Sequence, residues 1–169
     1  QSLGASPAQL QQTLAAYLAG FALMNLFHGA LADSFGRRPV VLWGVGVFTL
    51  ASVGCALAPS IEMLVAFRAL QGMATGAGMV VSGAIIRGLY PPDEAQKVMS
   101  QVTIFFGAAP AVAPLIGGLI YDALGWRSVF WLLAAIGAAL WIGNWRLLPE
   151  SLHASQRRGS EREVITVSD

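Results

Sequence analysis

Long uncharged stretches alternate with short charged ones along the chain. Residues 1–32, 39–61, 69–86, 98–121 and 128–145 contain no Asp, Glu, Lys or Arg, which makes runs of 32, 23, 18, 24 and 18 residues. A bilayer hydrocarbon core of about 30 Å takes roughly 20 apolar helical residues to cross. The pattern therefore predicts five membrane-spanning helices, at about 10–32, 39–57, 63–89, 98–123 and 128–148. Turn chemistry agrees with these bounds. Ser6-Pro7 and Pro39 read as helix starts, Ala58-Pro59-Ser60 as a stop, and Tyr90-Pro91-Pro92-Asp93-Glu94 as a hydrophilic turn. Residues 1–150 thus form one helix bundle, and the polar stretch 151–169 reads as a loop or tail with no core of its own.

Composition sharpens the class. The chain is 56% hydrophobic and 11% charged, against about 25% charged for a soluble domain. Mean hydropathy is +0.63. These values exclude an ordinary soluble enzyme, a disordered chain and a nucleic-acid binder. A net charge of +1 offers no basic field for nucleic acid. The lone Cys55 can form no disulfide within the chain.

Basic residues set the expected orientation. Arg37, Arg38, Arg87, Lys97, Arg146, Arg157, Arg158 and Arg162 fall on one side, eight of the ten. That side is expected to be cytoplasmic, which leaves the N-terminus outside. Five spans, an outside N-terminus and a first residue Gln1 read as a piece of a longer protein with one span in front.

Three segments carry candidate chemistry. In the loop after the first span, Gly29 and Asp33 are four apart and share a helix face. The carboxylate sits in a last turn, where the helix dipole disfavours it. It needs Arg37, Arg38 or the N-terminus of another helix as partner, while Gly36 eases the turn. The plainer alternative is a short cytoplasmic turn obeying the charge rule. In the third span Arg68, Gly72, Gly76, Met79 and Gly83 fall within a sector of about 80°. Gln71, Thr75 and Ser82 lie beside it. An arginine near a helix centre costs roughly 2.5–3.5 kcal/mol on insertion, so it must face protein or water. Arg68, Gln71, Thr75 and, from the first span, Asn25 are candidates for a cavity wall. Alternatively Arg68 snorkels to the outer interface and the glycines serve packing alone. His28 reads as a hydrogen-bonded interface residue.

The fourth span holds Pro110 and Pro114 in an uncharged run, where neighbouring helices can satisfy the freed carbonyls. Gly107, Pro110, Ala111, Pro114 and Gly118 share one smooth face. That face suits either a rocking contact or plain tight packing. No metal-ligand spacing, phosphate loop or nucleophile–base pair is present in the sequence, so no enzyme, cofactor or metal is expected.

The residues from Gly29 to Pro39 resemble the loop between helices two and three of the major facilitator superfamily. Arg68-Ala69-Leu70-Gln71-Gly72 resembles its fourth-helix arginine motif. The stretch from Gly107 through Pro110 and Pro114 to Gly117 and Gly118 resembles the fifth-helix motif of its drug:proton antiporters. Gly125 to Trp131 resembles the start of helix six. The doubled Ala-Pro spacing, with Ile85-Ile86-Arg87 before the turn, is most similar to the Bcr/CflA-type multidrug efflux family. Ser34, Gly83 and Gly88 depart from the usual residues there.

The resemblance implies an all-α membrane protein, the N-terminal half of a major-facilitator bundle, matching helices two to six. It implies a bacterial inner-membrane location and proton-coupled efflux of a small molecule by alternating access. Its partners would be the lipid bilayer, protons, a first helix and a C-terminal half. No Asp or Glu lies mid-span, so a proton-carrying carboxylate is expected in those other parts. The alternative is a transport-incompetent truncated protein or a membrane interaction module.

Overall fold

The computed structural model describes residues 6–148. The expected tail, 151–169, lies outside the described residues. Among the described residues five helices follow one another: α1 (Pro7–Phe35), α2 (Arg37–Leu57), α3 (Ile61–Leu89), α4 (Pro92–Leu124) and α5 (Trp126–Leu147). Each is long and apolar enough to cross a membrane.

Local chemistry sets each boundary. Ser6 caps α1: its hydroxyl accepts from Gln9 N while Gln9 returns the bond to Ser6 N, with Pro7 in the first turn. One residue, Gly36, separates α1 from α2. Its φ of 102° lies where a side chain is disfavoured, and its N–H donates to Ala32 O at 3.0 Å. Gly125, at φ 84°, makes the same one-residue turn between α4 and α5. Ser60 caps α3, accepting from Met63 N at 3.4 Å. All five helices start earlier than hydropathy alone predicts, by two or three residues in α1, α2, α3 and α5 and by six in α4. Helix α2 begins at Arg37, and α4 at Pro92, so Asp93 and Glu94 lie in its first turn and not in a preceding loop. Acidic residues are favoured at a helix N-terminus, although they lower hydropathy.

Such short connections force the helices up and down in turn. Helix α1 packs along α3, α2 lies between α3 and α5, and α4 has only light contacts, with α5 and α3. Residue pairs give the directions. Tyr17 meets Gly72, Asn25 meets Gly76 and Gly29 approaches Val80, so α1 and α3 run parallel. Gly54 meets Phe67 and Gly44 meets Ala77, so α2 runs antiparallel to α3. Thr49 meets Gly137 and Gly46 meets Trp141, so α5 is antiparallel to α2.

Small residues make the core. Ala51, Cys55, Ala56, Ala77 and Val81 are nearly or wholly enclosed. Leucine and phenylalanine are instead widely exposed: Leu26, Phe105 and Leu119 are examples. In water that distribution would be ruinous; in lipid it is expected, because tails solvate leucine and close backbone approach holds helices together.

Candidate functional site

The third helix supplies the centre of the site. Arg68 lies seven residues into α3, about 10 Å from its start at 1.5 Å per residue. Its guanidinium carbon stands 4.4 Å from the centroid of the Tyr17 ring on α1 and 6.0 Å from that of Phe130 on α5. Contacts of this kind are worth about 0.5–2 kcal/mol each as desolvation grows. Arg68 Nη1 donates to Gln71 Oε1 at 2.5 Å. Gln71 is wholly buried, and its Nε2 donates to Ser52 Oγ on α2 at 2.7 Å. Ser52 in turn donates to Phe48 O at 2.7 Å. On the other side Tyr17 OH donates to Thr75 Oγ1 at 3.3 Å, and Thr75 donates to Gln71 O at 2.8 Å. A polar chain thus threads α1, α3 and α2 through an apolar bundle, and aromatic rings from α1 and α5 flank its one charge.

Arg68, Gln71 and Thr75 are therefore brought together. Gln71 is not on a wall, however; it is enclosed between α2 and α3 and acts on Arg68 from behind. Asn25 is half-buried, with its Oδ1 against Gly76 and without a hydrogen-bond partner among the described residues. Gly72 and Gly76 serve contact with α1: a Cβ on Gly72 would collide with the Tyr17 backbone, and one on Gly76 with Asn25 and His28. Met79, on the same expected sector, is half exposed. The sector is thus divided, with glycines against α1 and Arg68 beyond them. His28 is buried in the α1–α3 contact.

Tyr17, Ser52 and Phe130 escaped sequence reasoning. Ser52 carries a signal, because Ala51, Cys55 and Ala56 around it are small enough for close helix approach. Tyr17 and Phe130 look like interfacial aromatics and announce nothing.

At the opposite end of the bundle lie Gly29, Asp33, Gly36, Arg37 and Arg38. Arg37 Nη1 donates to Ala84 O near the end of α3 at 2.9 Å, and a Cβ on Gly88 would stand 2.7 Å from that Nη1. Arg38 Nη2 donates to Trp145 O in the last turn of α5 at 2.7 Å. Arg38 thus meets a carbonyl in the negative last turn of α5, where a cation is favoured, and Arg37 meets one about a turn further in on α3. Asp33 is exposed beside them. The α4 motif stands apart from both groups. Gly107, Pro110, Pro114 and Gly118 are exposed, Gly117 is half-buried, and a Cβ on Gly107, Gly117 or Gly118 would meet nothing within 4 Å. Helix α4 runs unbroken through both prolines. Among the described residues no group of three or more His, Cys, Asp or Glu could hold a metal ion.

Comparison with known proteins fits this architecture. The chain is similar to a bicyclomycin resistance protein homolog of Haemophilus influenzae, 37% identical over 158 residues that make up 94% of this chain and 39% of that protein. It is also similar to the multidrug resistance protein MdtL of Escherichia coli, 39% identical over 153 residues, 90% of this chain and 39% of MdtL. The chain therefore spans about two-fifths of the length of these relatives. The family model of the Major Facilitator Superfamily matches residues 1–167. With five apolar helices of membrane-spanning length and a family match over nearly its whole length, the chain is an integral membrane protein that belongs to the Major Facilitator Superfamily.

Proposed function

We propose that this chain is part of a secondary transporter of the bacterial inner membrane that exports drugs or small metabolites in exchange for protons. The carrying observation is Arg68, a permanent charge held inside an apolar bundle by Gln71 and two aromatic rings. An intramembrane arginine is costly and marks a substrate or ion path by default. Its five N–H donors and fixed plane suit an electronegative group on a substrate. The relatives' names, bicyclomycin resistance and multidrug resistance, support drugs as the substrate class. Alternating access would come from two bundles rocking about a central site. The bare glycine and proline face of α4 is suited to the contact between them, because it carries no bulky side chains to interlock. In this reading the end bearing Arg37, Arg38 and Arg146 is cytoplasmic. Arg37 and Arg38 hold that end together, and Asp33 acts on opening and closing rather than on substrate.

Drug export from cells expressing the protein tests the reading. Arg68→Ala should abolish export, whereas Arg68→Lys should retain a measurable fraction, since it keeps the charge and loses the planar fork. Undiminished export by Arg68→Ala at equal membrane abundance would show that Arg68 is only an interfacial anchor.

A further inference from the structure

An apolar groove of about 570 Å³ runs between α2 and α5. Leu42, Gly46 and Leu50 line it from α2, and Ala138, Trp141 and Ile142 from α5. Gly46 lets the indole of Trp141 lie on α2: a Cβ there would stand 3.3 Å from Trp141 Nε1. That N–H donates to Leu42 O at 3.1 Å, so the indole's polar edge is already satisfied. Leu50 is 72% exposed and Ile142 45%, so the groove opens outward.

The groove has one charged end. Residues four apart share a helix face; Arg38 precedes Leu42 by four, and Arg146 follows Ile142 by four. Because α2 and α5 are antiparallel, both arginines come to the same end. Arg38 is fixed there by its bond to Trp145 O, while its buried Nε has no hydrogen-bond partner among the described residues. From Arg38 to Leu50 the stripe is about 18 Å long at 1.5 Å per residue. One leaflet of a core of about 30 Å is roughly 15 Å deep. The apolar run therefore matches one leaflet, with the arginines at headgroup level.

We propose that this groove seats one anionic phospholipid, its phosphate on Arg38 and Arg146 and an acyl chain along Leu42, Gly46 and Leu50. Guanidinium groups pair with phosphate oxygens through two parallel N–H bonds. A zwitterionic lipid offers the same tail, but its ammonium group offsets the charge. The inference rests on the membrane bundle alone and stands whether or not the chain takes part in export.

The groove carries its own reporters, since Trp43 and Trp141 line it and Trp145 stacks on Trp141 at 6.3 Å. In a Trp126→Phe, Trp131→Phe background, fluorescence is measured in nanodiscs containing phosphatidylglycerol or phosphatidylcholine with brominated acyl chains. Brominated phosphatidylglycerol should quench at about a tenfold lower mole fraction, given the attraction expected from two basic residues at a membrane surface. Arg38→Gln with Arg146→Gln should erase the difference, and Arg38→Lys with Arg146→Lys should keep most of it. Equal quenching by the two lipids in the native chain overturns the proposal, and so does a preference that survives the glutamine pair. If the glutamine pair loses helicity by circular dichroism, salt decides with the native chain. At about 1 M salt, where the Debye length is about 3 Å, the preference should collapse; a preference unchanged there also overturns the proposal.

Discussion

Gln71 shows how much one buried amide can organise. It accepts from Arg68, donates to Ser52 on α2, and its carbonyl receives Thr75, which is itself bonded to Tyr17 on α1. Replacing it with leucine keeps the volume but removes the donor to Ser52, which keeps its own bond to Phe48 O, and leaves the part-buried Arg68 guanidinium without its amide partner. Leaving a buried polar group unsatisfied costs about 1–3 kcal/mol. Gln71→Leu should therefore destabilise the bundle by that amount in detergent unfolding, and Ser52→Ala, which strands the buried Gln71 Nε2 donor, likewise by about 1–3 kcal/mol. In the double variant the costs should fall short of additive, because Ser52 has already lost its donor. Strict additivity would mean that the two side chains do not act as a unit. At this scale the sequence was partly legible. Arg68, Gln71 and Thr75 stood out as polar residues in an apolar run. Their partners did not, because helical spacing fixes which residues share a face and not which neighbour that face meets.

At the scale of the element, glycine has two opposite meanings in this chain. On α3, Gly72 lies against the backbone of Tyr17, and no flexible side chain stands there to move aside. Gly72→Ala should push α1 away and cost about 1–3 kcal/mol, the usual range for overpacking. On α4, a Cβ on Gly118 meets open space. Gly118→Ala should leave the bundle unharmed, or stabilise it by up to about 1 kcal/mol through better helix propensity. Thermal unfolding of the two variants side by side measures this contrast, and equal losses would refute the packing described for α3. Both glycine stripes were visible in sequence, each compatible with packing or with a working surface. Spacing cannot separate those meanings, since a stripe that admits a neighbouring helix looks the same whether or not one is present. Helix ends were missed for a related reason. Hydropathy locates the lipid-crossing part, but Asp93 and Glu94 are helical because the positive N-terminus of α4 favours them, and Arg37 starts α2 against its dipole, tied to α3 through Ala84 O.

For the molecule as a whole, the charge gaps gave the number and order of the helices directly. Lipid punishes buried charge so heavily that span count is close to a counting problem. Orientation is a further inference, and the fold makes it testable. One end of the bundle carries Asp33, Arg37, Arg38, Arg87, Asp93, Glu94, Lys97 and Arg146; the other carries Glu62, Asp122 and Arg127. The excess of arginine and lysine at the first end should hold it in the cytoplasm. The chain suits a single-cysteine experiment, because its one cysteine, Cys55, is fully buried and should contribute little background to labelling by a charged maleimide. Ser34 is exposed at the turn between α1 and α2, and Ala123 is exposed at the end of α4 on the opposite side of the bundle. In intact cells a membrane-impermeant maleimide should label Ala123→Cys and leave Ser34→Cys untouched; in inverted vesicles the pattern should reverse. The reverse result in intact cells would put the arginine-rich end outside. It would then also place the groove between α2 and α5 in the outer leaflet, since Arg38 and Arg146 lie both at the arginine-rich end of the bundle and at the headgroup end of that groove.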